Sequence, residues 1–156
     1  MRRMILPLML FAFAACQPAT MELTEAQKAE IEEAVRQVDS DFHATWQARE
    51  DIDAYMSYMS DWSSTSPFGD ESLDAQRTRV LAWWGAQSSV TIDRGERRVL
   101  VMGPDVAAVE GTNVRVATDT TGAIRERTGT YTRVWIRENG EWRVFAQKGY
   151  ARTREE

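Results

Sequence analysis

The sequence predicts an α+β fold: a cone-shaped, curved antiparallel sheet with three helices ahead of it. Apolar residues recur at intervals of three and four in the N-terminal half, while from Ser89 onward Val, Thr, Ile and aromatic residues dominate between spaced turn signals. The order matters as well. Helices first and long strands afterwards, without βα alternation, suit helices packed on one face of an antiparallel sheet.

Thr24-Glu25-Ala26-Gln27 fits a capping box, and Ile31, Val35, Val38, Phe42 and Trp46 form one stripe, so the first helix is expected over about residues 25–48. Asp51 caps a short second helix with Ile52, Tyr55, Met56 and Met59 on one face. Ser72 or Asp74 opens a third, with Leu73, Val80, Leu81 and Trp84 on its apolar side. Between the last two, residues 61–71 read as a short strand and a loop around Pro67, Phe68 and Gly69. Four long strands follow, broken at Gly103-Pro104-Asp105, Asp119-Thr120-Thr121-Gly122 and Asn139-Gly140, and Gly95 marks a bulge within the first of them.

Asn139-Gly140 is the strongest turn signal, because a type I′ turn needs both central residues at positive φ. An unbroken two-residue hairpin sets Arg137 against Trp142, Trp135 against Val144, Arg133 against Ala146 and Tyr131 against Lys148, all on one face. Thr130, Thr132, Val134, Ile136, Arg143, Phe145 and Gln147 fall on the other. Neither face is wholly polar. One is expected beneath the helices, the other against a partner subunit.

The first residues are an address. Arg2 and Arg3 precede an apolar run from Met4 to Ala15, about 12 residues against the roughly 20 that a spanning helix needs. Phe13-Ala14-Ala15-Cys16 resembles the bacterial lipoprotein lipobox, which implies removal of residues 1–15 and acylation of Cys16 as a membrane anchor. The alternative is a plain secretory signal with an incidental cysteine. Residues 16–23 then form the lipidated cysteine and tether, and residues 24–152 the domain. Gln17 departs from the Asp that resembles an inner-membrane retention signal, so the expected location is the envelope, periplasm-facing and on the outer membrane.

Composition narrows the function. A formal charge of −5 argues against nucleic acid, which needs a basic face. With one cysteine and one histidine in 156 residues, a disulfide is impossible within the chain and a zinc site is disfavoured. No metal or cofactor is expected.

Thr132-Arg133-Val134-Trp135 followed by Asn139-Gly140-Glu141-Trp142-Arg143-Val144 resembles the terminal hairpin of the nuclear-transport-factor-2-like superfamily. The similarity is greatest to the association domain of calcium/calmodulin-dependent protein kinase II and to SnoaL-like bacterial proteins, and it extends over about residues 24–150. The resemblance implies a conical sheet closed by three helices, a pocket inside it, and dimers through the sheet. It also implies that Trp142 and Val144 face inward. By the register above, Tyr131, Arg133, Trp135 and Lys148 go with them. Members often carry His-x-His after the Trp, whereas Ala146 and Lys148 stand here, which weakens a histidine acid–base role.

Arg133 and Lys148 are candidates to hold a carboxylate or phosphate, or else Arg133 is neutralised internally by Glu110. Trp62, Phe68, Trp83, Trp84 and Trp135 are candidates to line the pocket, with core packing as the alternative. Asp61, Asp70 and Tyr131 are the proton-transfer candidates, since a carboxylate in an apolar pocket is driven toward neutrality. His43, at the edge of the first helix's stripe, reads as structural rather than catalytic. The leading functional reading is a membrane-anchored module binding a small amphipathic or anionic molecule. The alternatives are a SnoaL- or isomerase-like enzyme and a homodimeric assembly unit joined through the convex sheet.

Overall fold

The computed structural model describes residues 22–64 and 71–155. Cys16, Phe68 and Asp70 lie outside the described residues, as does the side chain of Trp62.

Helix α1 spans Glu25–Ala48. Its capping box is complete: the Gln27 backbone N–H donates to Thr24 Oγ1 at 3.2 Å and the Thr24 N–H donates to Gln27 Oε1 at 2.9 Å. The helix ends on Arg49 in the left-handed conformation, φ 57°, and the Arg49 guanidinium donates to the carbonyl of Gln87 at 2.7 Å. Asp51 caps α2, Ile52–Met56, and Ser72 caps α3, Leu73–Gly85. No helix among the described residues is long and apolar enough to cross a membrane.

The strands are β1 (Met59–Ser64), β2 (Gln87–Gly103), β3 (Val106–Asp119), β4 (Ile124–Glu138) and β5 (Glu141–Glu155), in the order β1-β5-β4-β3-β2. Strands β2 to β5 are an antiparallel meander, while β1 joins β5 in parallel. Asn139 and Gly140 both take positive φ, as the type I′ turn requires. The register of β2 on β3 shifts between Arg94 and Arg97, around the expected Gly95, and such an extra residue bends a strand.

The register of β5 differs from the regular hairpin. Pairing follows it from Glu138↔Glu141 to Trp135↔Val144, then Val134 pairs with Ala146, leaving Phe145 as an extra residue. From there every side chain changes face relative to expectation. Gln147 now opposes Arg133 and Gly149 opposes Tyr131, while Ala146 and Lys148 turn outward. The expectation that Lys148 shares a face with Arg133 is thereby corrected. Lys148 is exposed, with its ammonium 5.8 Å from the Tyr150 ring.

The core lies between the helices and the inner face of the sheet. Ile31, Val35 and Phe42 of α1, Tyr55 of α2 and Val80 and Trp84 of α3 meet Ala107, Val109, Tyr131, Trp135 and Val144. On the outer face Met102 is 67% exposed, Phe145 40%, Tyr150 69% and Ile124 60%.

Candidate functional site

The site begins with a charge inside the apolar stripe of α1. Asp39 is four residues after Val35 and four before His43, so helical geometry points all three at the sheet. Asp39 is fully buried and accepts from the Arg133 guanidinium, which is 2% exposed, while Arg97 Nη1 lies 3.4 Å from its other oxygen. Arg133 Nε donates to Gln147 Oε1 at 2.7 Å. The guanidinium also sits 4.2 Å from the centre of the Phe42 ring and 5.1 Å from that of Tyr131. The partner of Arg133 is therefore Asp39. Glu110 faces outward, in register with Arg98 and Thr132, which corrects its assignment to Arg133.

Arg133 Nη1 lies 3.3 Å from His43 Nε2. A guanidinium can only donate, so Nε2 accepts and the ring proton resides on Nδ1. Burial, reinforced by the charge of Arg133, pushes the His43 pKa down to about 3, against an opposing pull from Asp39. The imidazole is neutral at pH 7, with its basic lone pair occupied. Its Nδ1 is buried and has no hydrogen-bond partner among the described residues, and the same is true of Arg94 Nη1. His43 and Arg94 both line a hollow of about 410 Å³ between α1 and β2, whose walls also include Gln47, Val90 and Ile92.

The other expected residues are dispersed. Tyr131 is buried against His43, ring centres 5.4 Å apart, and its hydroxyl has no partner among the described residues. Burial and then Asp39 raise the Tyr131 pKa, so it stays a phenol. Glu110 and Tyr131 do share the wall of a second hollow of about 460 Å³, with Arg97, Arg98 and Thr132. Trp135 and Trp84 are core residues, 0% and 7% exposed. Trp83 is partly buried, stacked on Trp46 at 5.0 Å, with the Arg115 guanidinium 5.1 Å from its ring centre. Asp61 is exposed on β1, at the sheet edge two strands from β4, and is not brought to Tyr131. No group of three His, Cys, Asp or Glu residues suited to a metal exists among the described residues. Asp39, Arg94 and Arg97 escaped the sequence reading. The signal available for Asp39 was an acid in an otherwise apolar helical stripe.

Residues 32–149 match the calcium/calmodulin-dependent protein kinase II association domain family. The chain belongs to that family. No curated protein matches it. Among solved structures, the fold is similar to a protein of Novosphingobium aromaticivorans named after scytalone dehydratase, with a TM-score of 0.75, 11% identity, and coverage of 85% of this chain and 92% of that one. The LinA-type3 hexachlorocyclohexane dehydrochlorinase of Novosphingobium barchaimii gives 0.69 and 13%, over 85% and 94% of the two chains. The association domain of C. elegans CaMKII gives 0.61 and 18%, over 81% and 98%. The association-domain family member thus shares a nuclear-transport-factor-2-like fold with enzymes and with an assembly module.

Proposed function

We propose that the domain binds a small organic anion in the hollow beside His43, as a membrane-anchored lipoprotein of the bacterial envelope. The observation that carries the reading is a pair of buried donors without partners among the described residues, His43 Nδ1–H and Arg94 Nη1–H, both from residues that line one hollow. Buried donors left without acceptors cost free energy, and one carboxylate would satisfy both. Binding is favoured over proton transfer because His43 has spent its lone pair on Arg133, and Asp39 is held by two arginines. Names such as dehydratase and dehydrochlorinase among the structural neighbours keep a lyase or isomerase in view. That reading would need a free base beside Tyr131, whose hydroxyl meets none among the described residues.

The test is calorimetric titration of the purified domain with short-chain carboxylates from acetate to hexanoate. Binding is expected, and Arg94→Gln should weaken it by at least about tenfold, the scale of one charge-assisted contact. Carboxylates that bind equally well to the variant, or not at all to the parent, would rule the site out. Exposed apolar side chains on the outer face, such as Phe145, and membership of an association-domain family support a homodimer through that face.

A further inference from the structure

Resting on the anion reading of the hollow, a second cationic point lies beside it and sets the class of ligand. The inner-face rows of the sheet run from Val90–Ala117–Arg125 to Val101–Ala107–Trp135. In β2, β3 and β4, every charged residue these rows place toward the helices is an arginine: Arg94, Arg97, Arg115, Arg125, Arg127 and Arg133. For a chain of net charge −5 this is a concentrated reversal of sign. Asp39 compensates Arg97 and Arg133.

Among the described residues, Arg115 and Arg127 have no such partner. They are directly opposite on neighbouring strands, an arrangement of like charges that opposes folding. Among the described residues neither makes a hydrogen bond or an ion pair, and Arg115 instead lies over the Trp83 face. Burial and the charge of Arg127 both lower the Arg115 pKa. Arg115 is also in register with Ile92, which lines the hollow, and is a diagonal neighbour of Arg94 across the Arg94–Asn113 pair. Diagonal neighbours have Cα atoms about 7–8 Å apart, well within the span of a short aliphatic chain.

We propose that the ligand is a diacid: one carboxylate at His43 and Arg94, an apolar stretch over Ile92 and Trp83, and a second carboxylate at Arg115 and Arg127. Paired guanidinium forks are suited to such a group, because each presents two parallel donors.

The experiment compares α,ω-dicarboxylates from succinate to suberate with monocarboxylates from butyrate to octanoate by calorimetry on the intact domain. One chain length should bind at least about tenfold tighter as the diacid than as the monoacid. The Arg115→Gln, Arg127→Gln double variant should bring the two within about threefold of each other, with its melting temperature reporting that it is folded. Diacids that bind no tighter than monoacids, or a diacid advantage that survives in the double variant, would overturn the inference while leaving the first site standing. Absence of binding by either series would overturn both.

Discussion

Asp39 of α1 and Arg133 of β4 meet in full burial, joining the first helix to the middle of the sheet across most of the chain's length. A buried pair of this kind adds little over well-packed apolar residues, but breaking it leaves a naked charge. Asp39→Asn should therefore destabilise the domain by about 3–5 kcal/mol, because Arg133 and Arg97 both lose their carboxylate. The double variant Asp39→Leu, Arg133→Met should recover most of that loss. Urea unfolding at constant m-value measures both, and a single variant as stable as the parent would show the pair to be without consequence.

The only histidine in the chain gives an unambiguous pH signature. Folding lowers the His43 pKa from its ordinary 6.5 to about 3, so below pH 6.5 the unfolded chain takes up a proton that the folded one refuses. Its contribution to stability is intact above pH 6.5 and declines as the pH falls toward 3, by at most about 1.4 kcal/mol per pH unit. Unfolding free energy between pH 6 and 4 should fall more steeply for the parent than for His43→Gln. Parallel slopes would mean that His43 titrates normally.

Gly129 is required by close approach of the backbone. A Cβ there would stand 2.5 Å from the carbonyl oxygen of Tyr150, which belongs to the paired strand and cannot turn aside. Gly129→Ala is expected to cost about 1–3 kcal/mol, as overpacking does. Gly103→Ala, with nothing within 4 Å, should stay within about 0.5 kcal/mol of the parent. Thermal melts of the two variants side by side decide the matter.

Phe145 stands 40% exposed on the outer face, on the strand next to the sheet edge. If that face joins two copies, Phe145→Glu should convert a dimer to a monomer in sedimentation velocity, with an unchanged circular dichroism spectrum. A parent protein that sediments as a monomer at all concentrations would dispose of the interface.

Anchoring is tested in cells. Cys16→Ser should move the full-length protein from the membrane fraction to the soluble one, and the mass of the parent should show acyl chains on Cys16. A parent of unmodified mass, cleaved elsewhere, would indicate an ordinary secretory signal.

Local chemistry explains what was legible in the sequence. The Thr24 and Ser72 caps, the Asn139-Gly140 turn and the bulge at Gly95 each depend on residues adjacent in the chain, and each appears where the sequence puts it. The bulge at Phe145 was hidden because its cause is distant. It coincides with the docking of β1, where Met59 pairs with Val144, Ser64 pairs with Ala146, and the Val144 N–H donates to the Tyr58 carbonyl at 2.7 Å. Site residues divide the same way. Arg133 was recognisable from its strand, but its partner Asp39 is 94 positions away, and a hairpin argument reaches only residues on the hairpin.

The extra residue at 145 separates the length of the last strand from its orientation. Deleting that single codon would restore an unbroken ladder and still leave Gln147 facing Arg133, because the pairs beyond the bulge already match those of a chain one residue shorter. Relatives differing by one insertion or deletion at this point would thus keep the same interior, and the change would register only on the outside, as the presence or absence of one phenyl ring.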